Sequence, residues 1–159
     1  MTGPDERTTP QGAPGGHEPS RTGSGFGRLL VAVYGVLAIA AIARSAYQLT
    51  QHLDQAPVPY LLSAFAAVVY LVATVALAKG TGVWRTVAWV AVVVEAVGVL
   101  VVGTHSVLDP SAYPDETVWS VYGQGYGHVP LVLPFVGLWW LWRTRPAVER
   151  RTAPESEAR

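Results

Sequence analysis

The chain of 159 residues contains no cysteine, which excludes disulfides, thiolate metal sites, cysteine nucleophiles and palmitoyl anchors. Charge is scarce too. Only 14% of the residues are charged, against roughly 25% in an ordinary soluble domain, and the charged residues gather toward the two ends. The formal net charge is zero, and no nucleic-acid partner is expected. Also missing are a phosphate-binding loop, a nucleophile elbow and a helical zinc motif. The run Gly123-Gln124-Gly125-Tyr126-Gly127 is glycine-rich, but it follows no strand and reads as a turn. No cofactor is therefore expected, and the pattern leans away from an enzyme.

What is present is apolar length. Half of the residues are hydrophobic, and they fall into runs near the roughly 20 residues that cross a hydrocarbon core. Four such runs predict an all-α polytopic membrane protein, a bundle of four transmembrane helices at about 28–49, 58–78, 84–104 and 127–142 within a domain covering 26–143. Segment 1–25, rich in Gly, Pro, Ser and Thr, cannot offset its ordering entropy by burial and reads as a disordered cytoplasmic tail. Segment 144–159 reads as a basic cytoplasmic tail, and 115–122 as a short helix lying in the interface. The fourth run is short for a full crossing, with Pro130 suited to a first helical turn and Pro134 inside it.

Orientation follows from lysine and arginine, which short cytoplasmic loops retain. Arg7, Arg21 and Arg28 precede the first run, Lys79 and Arg85 flank the second loop, and Arg143, Arg145, Arg150, Arg151 and Arg159 follow the fourth. The first and third loops hold none. An even number of spans agrees, placing both termini in the cytoplasm of a bacterial inner membrane. Aromatic belts are expected at both edges, with Trp84, Trp139, Trp140 and Trp142 inside and Tyr60, Trp119, Tyr122 and Tyr126 outside.

Glu95 stands near the centre of the third run, where a charged side chain costs on the order of 2.5–3.5 kcal/mol on insertion scales. Its helical face, Ala88, Ala91, Val92, Glu95, Gly98, Val99 and Val102, is small and β-branched, suited to close helix packing. Candidate partner faces are Val33, Val36, Ala40 and Arg44 on the first helix and Ser63, Ala67, Tyr70 and Thr74 on the second. An intramembrane network of Glu95, Arg44 and Tyr70 follows, as a direct Arg44–Glu95 ion pair, as a bridge through water or the Tyr70 hydroxyl, or with Glu95 protonated, and its first reading is a fastener between helices rather than an ion, proton or ligand site. Arg44, Tyr47, Gln48 and Gln51 or His52 also recur along one side of the first helix, which reads first as a solvated helix end and alternatively as the lining of an outward vestibule with Tyr60 and Ser63. His52, His105, His128 and Asp109 belong to the outer ends of helices and form a candidate outer-face polar cluster, without the i, i+4 histidine spacing of a zinc helix.

The segments Ala41-Ile42-Ala43-Arg44-Ser45, Glu95-Ala96-Val97-Gly98-Val99-Leu100 and Thr117-Val118-Trp119-Ser120-Val121-Tyr122, followed by Pro130-Leu131-Val132-Leu133-Pro134, together resemble small, uncharacterised four-span integral membrane proteins of actinobacteria. That resemblance implies a membrane location and no activity. The expected role is a non-enzymatic structural or accessory component of a membrane assembly, in contact with the bilayer and with a membrane partner or further copies of itself. The alternatives are a small transporter or proton pathway at Glu95 and, more remotely, an outer-face enzyme or metal binder.

Overall fold

A computed structural model of the chain describes residues 22–51 and 55–144. The two tails expected to be disordered fall almost wholly outside that range, as does His52. Four α-helices make up the described fold: α1 (Thr22–Gln51), α2 (Pro57–Lys79), α3 (Val83–Leu108) and α4 (Val129–Arg143). The first three are long and apolar enough to cross a membrane, and α4 is a shorter apolar helix of 15 residues. The architecture is an all-α membrane bundle. Successive helices lie side by side, and α4 closes back on α1, where the Trp140 ring covers Gly27 and Gly137 meets the Tyr34 hydroxyl.

Local sequence explains the ends. Pro57 opens α2, where a missing amide costs nothing, and Gly80 closes it in the left-handed conformation with its amide bonded to the Ala76 carbonyl. At the same end Lys79 lies 3.8 Å from the Trp84 ring centre, while Arg85 donates to the Leu141 carbonyl and to Thr144, tying the start of α3 to the end of α4. α1 begins at Thr22, inside the segment expected to be tail.

The α3–α4 connection departs most from expectation. No α-helix forms over 115–122; short 3-10 turns stand instead at Pro110–Ala112, Ser120–Tyr122 and Gln124–Tyr126. Segment 115–122 carries apolar residues on every side, and the structure buries Thr117, Val118, Trp119 and Ser120 rather than laying one face on the interface. Trp119 is 1% exposed, so it is no belt residue. Tyr60, at 2%, is none either. The loop thus fills space that the short α4 leaves open.

Irregular backbone at such depth must satisfy its own polar groups. The Thr117 and Ser120 side chains do this reciprocally: Ser120 Oγ accepts the Thr117 amide at 2.9 Å, and Thr117 Oγ1 accepts the amides of Trp119 and Ser120 at 3.1 and 2.9 Å. Ser106 Oγ of α3 accepts the Val121 amide at 2.8 Å. Val121 and Tyr122 pay for the turn with positive φ of 48° and 58°, a conformation costly for a β-branched residue.

Two glycines of α3 admit the loop. A Cβ on Gly98 would stand 2.5 Å from the Trp119 ring, and one on Gly103 would stand 2.6 Å from the Tyr122 ring. Gly98→Ala is therefore expected to push Trp119 outward and destabilise the fold by about 1–3 kcal/mol, the usual range for overpacking. Thermal unfolding in mild detergent checks this, with Gly125→Ala, which meets only the flexible end of Glu116 at 3.4 Å, as the near-neutral comparison.

Candidate functional site

Glu95 lies in the middle of α3, fully buried, on the inward stripe of Ala88, Ala91, Val92, Val99 and Val102. The stripe matches expectation, except that Gly98 receives a loop tryptophan rather than a helix. On α2 the expected face also turns inward, with Ser63, Ala67 and Tyr70 buried. α1 is rotated from the expected face. Its buried residues are Leu30, Tyr34, Leu37, Ala38, Ala41, Ser45 and Gln48, whereas Val36 is 66% exposed. The reason is that α1 packs along α2 and also faces α4, and the Tyr34–Leu37–Ala41–Ser45–Gln48 stripe serves both neighbours.

This rotation decides the fate of the expected network. Arg44 lies at the edge of the buried stripe, and its guanidinium turns to the α3–α4 connection, donating to the Glu116 carbonyl at 2.7 Å and standing 3.8 Å from the Asp115 carboxylate. It makes no ion pair with Glu95. The polar neighbours of Glu95 are instead Tyr34 of α1 and Tyr70 of α2. Neither Glu95 oxygen has a hydrogen-bond partner at bonding geometry, and neither has the Tyr34 hydroxyl. Tyr70 does not bridge to Arg44; its hydroxyl accepts the Trp119 indole N–H at 2.9 Å. Because an indole N–H only donates, this bond uses a lone pair of Tyr70 and leaves its hydroxyl proton for another acceptor.

Glu95, Tyr34, Tyr70 and Trp119 therefore form the buried polar centre. The Tyr34 and Tyr70 rings lie 6.3 Å apart, and Trp119 meets Phe65 edge to face at 6.0 Å. Tyr34 and Trp119 were absent from the expected network. Tyr34 could have been found from its spacing of eleven residues to Ser45 and fourteen to Gln48, which is one polar helical stripe. The signal for Trp119 was Gly98 one turn from Glu95, a gap made for a large ring.

At the end of the bundle where α1 passes into α2, Arg44, Tyr47, Gln48, Gln55, Tyr60 and Asp115 line an open cleft of about 350 Å³. The Gln48 amide donates to Asp115 at 3.2 Å, and the Tyr60 hydroxyl faces the same carboxylate. Asp115 of the α3–α4 connection joins this cleft, whereas Ser63 is buried and does not line it. Of the expected outer-face cluster, His52 lies outside the described residues, and Asp109 feels the His105 charge. Among the described residues no three of His, Asp and Glu converge on a metal-sized site. His105 stacks edge to face on Tyr113 at 5.6 Å, and His128 occupies a left-handed position just before α4. Asp109 turns to Ser111, whose hydroxyl and amide hold its carboxyl below the usual range.

No family model, curated protein or solved structure matches this chain. The site must be read from its own geometry.

Two outcomes follow. Trp119→Phe keeps the ring and deletes the bond to Tyr70, so a loss of about 0.5–1.5 kcal/mol is expected, whereas Trp119→Ala should cost about 3–5 kcal/mol; thermal unfolding of the detergent-solubilised variants compares them. For Asp109 the folded carboxyl is held down, so its contribution is present above the unfolded value and is lost as pH falls through the folded one. Ser111→Ala should move its NMR titration midpoint upward.

Proposed function

We propose that this chain is a non-enzymatic, multi-pass protein of the bacterial inner membrane, with both termini cytoplasmic, whose working group is Glu95. In this reading the Glu95 carboxyl takes up and releases a proton inside the bilayer. The observation that carries it is the setting of that carboxyl: it is fully buried, its polar neighbours are the neutral Tyr34 and Tyr70 hydroxyls, and Arg44 is committed to the outer loop. Had Arg44 paired with Glu95, the carboxylate would serve as a fastener between α1 and α3. Unpaired, it costs stability instead of supplying it. A carboxyl between two tyrosine hydroxyls has the chemistry to hold or pass a proton, since each hydroxyl both donates and accepts.

A second reading, an accessory component of a membrane assembly or homo-oligomer, is favoured by a different feature. Between α2 and α3 runs an apolar groove of about 360 Å³, lined by residues such as Phe65, Val68, Val72, Val87 and Val90, which face away from the bundle. A lipid chain or a partner helix would complete it equally well.

Glu95→Gln separates the two. In proteoliposomes with an entrapped pH dye and an imposed potential, the proton reading expects potential-driven proton uptake by the native protein and its loss in Glu95→Gln, with unchanged thermal stability. The accessory reading expects no uptake by either form, and a drop in stability or assembly in the variant. Uptake equal in both forms removes Glu95 from the account.

A further inference from the structure

The cleft where α1 passes into α2 gathers polar groups that play no part at Glu95. At about 350 Å³ it falls within the roughly 300–1,000 Å³ of small-molecule sites. Its lining sets opposite charges beside amides and tyrosines: Arg44, Asp115, Gln48, Gln55, Tyr47 and Tyr60. Each charge is already answered within the protein. Asp115 accepts from the Glu116 amide at 2.9 Å and the Gln48 amide at 3.2 Å, faces the Tyr60 hydroxyl, and has Arg44 at 3.8 Å. Arg44 in turn donates through Nη2 to the Glu116 carbonyl at 2.7 Å. With the two charges balancing each other, the pair draws neither a free anion nor a free cation.

What remains is one donor and one acceptor. Arg44 Nε and Gln48 Oε1 are both buried and have no protein partner. A carboxylate only accepts, so Gln48 must present its amide nitrogen to Asp115, and its carbonyl oxygen is the end left over. Gln48 is itself 5% exposed, yet it lines the cleft. A buried polar group without a partner is destabilising, and a ligand that meets both groups removes that cost. Hydroxyls suit the task, because each one donates a proton and offers two lone pairs, so two adjacent hydroxyls can serve a donor and an acceptor together. Tyr47, 62% exposed, adds an aromatic face whose negative π cloud suits the C–H face of a sugar ring.

We propose that this cleft binds a neutral polyhydroxyl ligand, a sugar or cyclic polyol, whose adjacent hydroxyls accept from Arg44 Nε and donate to Gln48 Oε1 while its ring lies on Tyr47. Asp115 is a positioning residue here, since its carboxylate holds Gln48 and Arg44 in place and keeps no acceptor for the ligand. Free sugars and the glycosyl headgroup of a lipid present the same hydroxyls. The site is independent of whether Glu95 exchanges a proton.

The full-length protein is purified in an amine-oxide detergent, which carries no sugar to occupy the cleft, and placed in phosphatidylcholine nanodiscs. Saturation-transfer NMR then reads contact with methyl β-glucoside, myo-inositol and glycerol, with empty nanodiscs as the blank. In a second arm the nanodiscs contain a monoglucosyl diacylglycerol, and native mass spectrometry reads the lipid retained by the protein. Transfer to at least one free probe, or retained glycolipid, is expected, and the arm that responds identifies the source. Arg44→Lys keeps a charge opposite Asp115 but lacks Nε, and Tyr47→Leu removes the ring, so each is expected to lower the signal at least about fivefold, the worth of one hydrogen bond or ring contact. Tyr47 stands on exposed helix surface, so its variant decides if Arg44→Lys does not fold. No signal in either arm overturns the site, as does a signal that both folded variants retain. Transfer to N-methylacetamide as strong as to the sugars also overturns it, because the cleft would then read an amide.

Discussion

Inside a bilayer, backbone amides and carbonyls have no water to turn to, and this chain places a non-helical turn at bundle depth. The Thr117–Ser120 turn meets the constraint with its own side chains and with Ser106 of α3. Much of the fold depends on that solution. With the turn satisfied, Trp119 can enter against Gly98 and bond Tyr70, and α4 can remain a 15-residue helix, about 22 Å long, in a bundle whose other members span further. The positive φ at Val121 and Tyr122 is the local cost, offset by the burial of a full indole ring.

The docked loop also divides the charged residues of the described bundle into two groups. Arg44 and Asp115 meet at the end of the bundle, where both retain exposed surface and the charge pair is inexpensive. Glu95 stays at the centre with neutral hydroxyls around it. Separating the charges in this way leaves the inner carboxyl without a counter-ion, so any charge it carries must be stabilised by hydroxyl groups and water alone. The opposite end of the bundle shows a different economy: Arg85 bonds the Leu141 carbonyl and the Thr144 hydroxyl, and Lys79 covers an indole face, fastening the helix ends together.

The inward faces of α2 and α3 were legible because each carries a clear periodic stripe around one polar residue, Tyr70 or Glu95. The α1 face was not, because its apolar residues surround the helix almost evenly, and Val33, Val36 and Ala40 are as hydrophobic as the residues that face inward. Choosing the stripe that ends on Arg44 turned the helix by about one residue, or roughly 100°. Tyr34 was lost from the site by that choice. The expected helix over 115–122 failed for a related reason: its apolar residues have no preferred side, and Thr117 and Ser120 satisfy the backbone of a turn as readily as they begin a helix.

Amino-acid order by itself determined that the chain is all-helical, where three long apolar helices and one short one run, and that a carboxyl would be buried in the third. These are consequences of hydrophobic length and local punctuation by Pro57, Gly80 and Pro130, which act within a few residues of themselves. Only the tertiary structure decided what Glu95 meets. Partner choice in a bundle depends on helix rotation and on the depth reached by a distant loop, and both are set by packing between residues far apart in sequence, above all Gly98 with Trp119 and Gly35 with Thr74.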